Sequence, residues 1–381
     1  MRNAIRHGLG KSPSVLLPLL VVLLGMAGAA AQENLRLEST LNSDEYAAGE
    51  PVFVTLKIAN TGESEQSLLI GPRGIADGDW SLEVAREGRE LERVRVSRRN
   101  EYFLHGRPPH RLAPGDSLTD HVALWFRAYK GPFTDPLQKQ LPKPRKLVFP
   151  EPGRYRYRIE VLVWPSEREG SFWLRTEGVV VIGEAKEGFP VVRDKLGVIT
   201  ESRHGLTGVD WTNARQLEEL GDELRGTRYA RYAKWLRVRA SVEASRGGWE
   251  AIEHGGQAAL HEFQVLRDYS MDLLAEFGGT ALPPERAALV ALAVIHAAHS
   301  GIMRKVARGS IAELQEYDWV GVLNKQELPA MGYPGDVASL SPEKAQELAE
   351  SEHEAGMHIL RDMEKRFPPS PEIQYARERQ D

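Results

Sequence analysis

The sequence predicts an α+β chain in two modules, an all-β sandwich followed by an all-α helical array or bundle. Three observations carry that expectation. From Leu35 to about Val181, apolar and polar residues alternate with period 2 between Gly, Pro, Asn and Asp turns. After Asp210 the apolar residues recur at helical spacing. Between these regions, residues 184–209 show no clear period and contain Gly188, Pro190, Gly197, Gly205 and Gly208, which reads as a linker. A length of 381 residues also exceeds what one core usually organises. The expected organisation is residues 1–31, 32–183, 184–209 and 210–381.

The first of these units reads as a secretory signal peptide. Arg2, Arg6 and Lys11 precede an apolar run from Val15 to Met26, and Ala29-Ala30-Ala31 supplies a small-x-small cleavage site. That run is shorter than the ~20 residues a spanning helix needs, so the processed chain is expected to be soluble, and periplasmic or secreted. There is no cysteine, which excludes disulfides, thiolate metal sites, a cysteine nucleophile and a lipoprotein anchor. The formal net charge is −5, and loss of Arg2, Arg6 and Lys11 makes it more negative. Such a balance suggests neither nucleic acid nor an anionic membrane surface as a partner.

The β module begins with Pro51-Val-Phe-Val-Thr-Leu-Lys-Ile58, which stops at the turn Asn60-Thr61-Gly62. Further strands are expected at 80–84 and 91–96, joined through Glu87-Gly88, and at 121–126 after Pro114-Gly115-Asp116. The clearest runs from Arg154 to Val163. Tyr155, Tyr157, Ile159 and Val161 share one face, while Arg154, Arg156, Arg158 and Glu160 share the other, as in a sheet with one buried and one wet side.

These residues carry a resemblance. Gly49-Glu50-Pro51-Val52-x-Val54-Thr55, Leu112-Ala113-Pro114-Gly115-Asp116-Ser117 and Pro152-Gly153-Arg154-Tyr155 together resemble the bacterial immunoglobulin-like domains of exported proteins. The order is also similar to the intracellular proteinase inhibitor family, which shares the Asn-x-Gly and Leu-x-Pro-Gly-acid-Ser turns. The resemblance implies an immunoglobulin-like fold over roughly 35–183; its motifs are turn and strand-start chemistry rather than site chemistry. A proline-rich, basic insertion, Ala128 to Pro152, departs from that pattern and reads as a surface loop, with a polyproline recognition arm as the alternative. The Arg-rich stretch Arg86 to Arg111 is interleaved with glutamates and reads as a self-paired, solvated face.

In the second module, Asp210 and Thr212 precede the stripe Leu217, Leu220, Leu224, and a second helix is expected from Thr227. Thr227–Leu236 and Phe367–Ala376 resemble the turn-into-helix junctions of tetratricopeptide-type repeats, though without clean copies between them. The central helix is expected over Glu285–Val306, because Ala287 to Ile295 is unbroken, apolar and rich in small residues. Other helices are expected near 249–277, 310–317, 342–366 and 371–379.

Chemistry-bearing patterns are sparse. His296-x-x-His299 places two imidazoles on one helix face, and Glu350-x-x-His353 repeats the spacing on a later helix. His296, His299, Glu350 and His353 are the candidate metal ligands, since imidazole and carboxylate together suit Zn, Fe or Mn in a bundle. A full dimetal set would need a second Glu-x-x-His and two further glutamates, so the preferred reading is two histidines packed or hydrogen-bonded at the helix periphery and an ordinary charged face at 350–354. His261-Glu262 is weaker still. Ser341-Pro-Glu-Lys344 matches Ser-x-x-Lys formally, but Ser at the N-cap with Pro at N1 is ordinary helix-start chemistry. No catalytic residue and no cofactor are indicated.

The expected function is therefore an exported, non-catalytic binding protein whose partner is an envelope protein or a cell-wall component. A metal-dependent enzyme with its site in the helical module is the alternative. Proteinase inhibition through the sandwich loops ranks behind both.

Overall fold

A computed structural model of the chain describes residues 34–70, 75, 79–97, 109–125, 146–165, 170–196, 211–245, 256–310, 321, 323–333, 335–368 and 371–380. The expected signal peptide, most of the 128–152 insertion and the expected helix at 310–317 lie outside the described residues.

Strands occupy the first part and helices the second, as the two periodicities predict. The strands are β1 (Leu35–Leu41), β2 (Glu45–Ala47), β3 (Val52–Asn60), β4 (Gln66–Leu69), β5 (Trp80–Arg86), β6 (Glu92–Ser97), β7 (His110–Leu112), β8 (Ser117–Leu124), β9 (Gly153–Pro165) and β10 (Phe172–Gly183). One sheet has the order β1-β3-β8, all antiparallel. The other runs β2-β10-β9-β4-β7, with β5 pairing β9 beside β4 and β6 added outside β5. At 13 residues, β9 is long enough to hold β5 against Tyr155–Val161 and β4 against Trp164 and Pro165 along a single edge.

Alternation dictates the layering. Val52, Val54, Leu56 and Ile58 of β3 face Leu82, Val84, Tyr157, Ile159 and Val180 of the other sheet and form one buried core. The turns take their expected chemistry. Asn60 Oδ1 accepts from Gly62 N at 3.0 Å, and Asp116 Oδ2 accepts from Ala113 N at 3.0 Å.

The outer face of β9 is wet at Arg154 and Arg156, as expected, but not at Glu160. Glu160 is 8% exposed, lying beneath Arg175 (2.7 Å) and Arg93 (3.4 Å) and accepting from Ser81 Oγ at 3.2 Å. Its neighbour Arg158 bridges Glu83 (3.0 Å) and Glu177 (2.6 Å). The arginines of the 86–111 stretch that carry described pairs use Glu151, Glu83, Glu160 and Glu65 rather than the interleaved glutamates of their own segment.

The helices are α1 (Trp211–Glu223), α2 (Ala230–Ser245), α3 (Gly256–Phe277), α4 (Pro283–Ala307), α5 (Pro342–Arg366) and α6 (Pro371–Gln380), with irregular helical turns at Phe189–Leu196 and Leu323–Ala330. Ser341 caps α5 by accepting from Lys344 N at 3.2 Å, as its N-cap reading requires. Glu285 fixes the start of α4, its two carboxylate oxygens accepting from Gly279 N and Ala281 N, each at 2.7 Å. By length and composition α4 could cross a membrane, yet most of it is buried here among other helices.

The two halves meet through a shared layer. Opposite faces of β3 diverge: Val54 enters the sheet core, whereas Phe53 joins the helical core with Trp125 and Leu147. Phe53 packs edge-on against Trp235 (5.7 Å between ring centroids) and Phe277 (6.4 Å). At the rim, the carboxylate of Glu50 accepts from Ala47 N (2.8 Å), Arg228 (2.7 Å), Arg231 (2.9 Å) and Tyr232 Oη (3.1 Å). Gly49 adopts φ +87°, and a Cβ there would meet the Phe189 ring at 2.7 Å, so only glycine fits this approach.

Candidate functional site

A buried convergence of titratable groups lies around His299, at the middle of the helical half. On α4 the buried stripe Ala288, Ala291, Ile295, His299, Met303 and Val306 follows the i+3/i+4 pattern, so His299 points inward as an apolar residue would. A second stripe on α5, Ala345, Leu348, Ala349, Glu352, Gly356, Leu360 and Met363, carries Glu352 inward in the same way. The helices pack so that Ser300 Oγ donates to Ala349 O at 2.8 Å, next to that pair.

His299 is 3% exposed, and both its ring nitrogens are engaged. Nδ1 lies 2.9 Å from Glu352 Oε2, and Nε2 bonds Glu327 Oε2. Glu327, fully buried at the end of the irregular turn Leu323–Glu327, also accepts from Arg267 Nη2 at 2.6 Å. His296 Nδ1 meets the same Glu352 oxygen at 2.8 Å. Phe263 covers the imidazole of His299 with ring centroids 5.9 Å apart. Arg267 and His296 reach toward solvent, with side chains 27% and 28% exposed.

The electrostatics follow from this geometry. Burial alone would lower the His299 pKa, but hydrogen bonds and charge from Glu327 and Glu352 outweigh it and raise the pKa above 6.5. Burial would raise both carboxylates, yet His299 and Arg267 hold Glu327 below its usual range, and the two histidines bring Glu352 down to about 2. With a carboxylate oxygen at each ring nitrogen, the protonated form of His299 is the one that donates to both. In that form two carboxylates, the imidazolium and Arg267 balance in charge and link α3, α4, the 323–327 turn and α5.

The sequence candidates divide. His296 and His299 meet at one oxygen of Glu352, and His299 alone also reaches Glu327; the sequence patterns single out neither glutamate. Glu350 lies on the exposed side of α5 and accepts from Gln346 at 2.8 Å. His353 is half-buried, with an Nδ1 that is buried and has no hydrogen-bond partner among the described residues. Among the described residues no group of three or more His, Asp or Glu side chains is arranged to hold a metal ion. Glu262 is committed elsewhere, in a two-pronged pair with the buried guanidinium of Arg237 (2.8 and 2.5 Å).

No family model matches this chain, and no curated protein matches it. Among solved structures, the sporulation control protein Spo0M from Bacillus subtilis aligns with TM-score 0.20 at 12% identity, over 39% of this chain and 49% of that one. The Pseudomonas fluorescens alkylpurine DNA glycosylase AlkC aligns with TM-score 0.20 at 16% identity, over 40% and 33%. The Escherichia coli fimbrial subunit AggA aligns with TM-score 0.18 at 13% identity, over 40% and 95%. The chain thus spans about half of Spo0M and a third of AlkC. At such TM-scores these likenesses carry no argument about this protein.

Proposed function

We propose that this chain is an exported, non-catalytic interaction protein of the cell envelope. In this reading an immunoglobulin-like sandwich and an irregular tetratricopeptide-like helical array act as one body, whose surface meets an envelope protein or a cell-wall component. The observation that carries the reading is the state of His299. Both of its nitrogens are gripped by carboxylates inside the core, the arrangement of a structural clasp rather than of a general base waiting for substrate. Arg2, Arg6, Lys11, the apolar run and the Ala29–Ala31 site support export.

The test begins with the chain expressed from its first residue in a bacterial host. The expected result is an N-terminus at Gln32 in the exported fraction, no stoichiometric metal, and a discrete cross-linked conjugate in intact cells. Retention in the cytoplasm would overturn export. Stoichiometric metal, or substrate turnover lost in His299→Ala, would overturn the non-catalytic reading.

A metal-dependent enzyme is the second reading. It is favoured by the meeting of His296 Nδ1 and His299 Nδ1 at one Glu352 oxygen, within 2.9 Å. It expects a bound divalent ion that His296→Ala together with His299→Ala removes.

A further inference from the structure

We propose that the chain pairs with a second copy of itself through the open edge of β10, about a two-fold axis at Thr176. On one side β10 is paired by β9 from Phe172 to Ile182. On the other side β2 pairs only Val181, Ile182 and Gly183. Among the described residues no strand hydrogen-bonds to that side of 172–180; β1 packs against β10 from the facing sheet, with Ser39 reaching Thr176. In an antiparallel ladder every second residue there turns its N–H and C=O away from β9, toward this open side. An edge of that kind is a template for another strand unless charge or proline blunts it; Phe172–Val180 contains no Pro, and its two charges, Arg175 and Glu177, are of opposite sign and already paired to Glu160 and Arg158.

The open run is symmetric about Thr176, and its outward side chains are self-complementary. Trp173, Arg175, Glu177 and Val179 face outward, with Trp173 40% and Val179 39% exposed. On the inner face, Thr176 Oγ1 is held by Ser39 Oγ at 2.9 Å. An antiparallel partner centred on Thr176 sets Arg175 opposite Glu177 of the second copy and Trp173 opposite Val179 of the second copy, twice over. Moving the axis by one residue, to Arg175 or to Glu177, sets like charges against each other, which is destabilising in directly opposed pairs. The register is therefore fixed by charge.

The pairing also extends a pattern already present. Arg175 sits on Glu160 (2.7 Å) and Glu177 on Arg158 (2.6 Å), the last members of the alternating ladder across β9 and β5. In the dimer each would lie between its present partner and the opposite charge of the second copy, so the ladder runs unbroken through the axis. This proposal does not depend on the function proposed above.

The chain has no cysteine, so single introduced thiols report the register directly. Opposed Cβ atoms across an antiparallel pair lie about 4.5–5.5 Å apart, whereas position 173 lies about 20 Å from its own copy at ~3.4 Å per residue. A mixture of W173C and V179C chains, oxidised under native conditions, is expected to give covalent dimer in at least tenfold excess over either variant alone. Sedimentation velocity of the unmodified chain is expected to show a concentration-dependent monomer and dimer, and Glu177→Arg to weaken that dimer at least tenfold. A monomer at every concentration overturns the proposal. So does a dimer in which W173C alone cross-links as readily as the mixture, or one in which the mixture fails to cross-link.

Discussion

The indole of Trp125, immediately after β8, lies flat against that of Trp235 in α2, with centroids 5.9 Å apart and planes 9° from parallel. Its N–H donates to Gly49 O at 2.8 Å, so one side chain ties the three-stranded sheet, the β2–β3 turn and the helices together. Trp125 is 5% and Trp235 4% exposed, which makes this contact part of a core rather than a hinge. The two halves should therefore unfold as one unit. Trp125→Ala is expected to cost about 3–5 kcal/mol and to split the thermal transition in two, as calorimetry of wild type and variant would read out. Two transitions in the unmodified chain would refute the shared core.

Glu50 is the polar counterpart of that stack. Its side chain is 1% exposed and meets Arg231, Arg228 and Tyr232 of the helical half. Removing one partner of a buried ion pair leaves the others uncompensated. Glu50→Ala is thus expected to destabilise by about 3–5 kcal/mol, and Arg228→Ala, whose side chain is 40% exposed, by much less. Chemical denaturation of both variants checks the order; equal losses would place the energy elsewhere than in Glu50.

The Glu327–His299–Glu352 chain predicts a stability optimum in mildly acidic solution. The His299 pKa is raised above 6.5, so its contribution is complete below pH 6.5 and is lost as pH rises through the folded-state value. The Glu352 pKa falls from 4.5 to about 2, so its contribution is complete above pH 4.5 and is lost as pH falls toward 2. Both are present together between about pH 4.5 and 6.5. The acid-side loss attributable to Glu352 is about 3 kcal/mol, at 1.36 kcal/mol per pKa unit. Denaturation midpoints from pH 2 to 9 should show this window, and Glu352→Gln should flatten the acid limb. An unchanged limb in that variant would show that Glu352 is not the group titrating.

How far the sequence reached depends on periodicity. The strands at 52–60, 80–86 and 153–165 and the helices at 283–307, 342–366 and 371–380 lie where alternation and helical spacing put them. The short strands β2, β4 and β7 carry too few residues to show a period. The site was half legible. His296 and His299 are visible as a pair one turn apart, but the Glu-x-x-His spacing points to Glu350 and His353 rather than to Glu352. The better signal was position: Glu352 interrupts the apolar stripe of α5, and a carboxylate on a buried stripe must have a partner. Glu327 carries no comparable sign, because the irregular 323–330 turn has no regular face from which to read burial. Glu50 was read as strand-start chemistry, and only tertiary packing makes it an anchor between the halves.

Gly178 offers the last test, because it separates conformational need from space. It lies opposite Tyr157 in the β9–β10 register, and a Cβ there would fall 2.4 Å from Cζ of the Tyr157 ring. That ring is buried, and its hydroxyl is hydrogen-bonded to Ser39 Oγ at 3.2 Å, so it cannot swing aside without losing the bond. Alanine is ordinarily the better residue within a strand because it loses less entropy on folding, by roughly 0.5–1 kcal/mol. Here overpacking should outweigh that gain, and Gly178→Ala is expected to destabilise by about 1–3 kcal/mol. Ser39→Ala in the same background should recover part of the loss by releasing the tyrosine. A stabilised Gly178→Ala variant would mean that β9 and β10 separate more easily than the packing of Tyr157 allows.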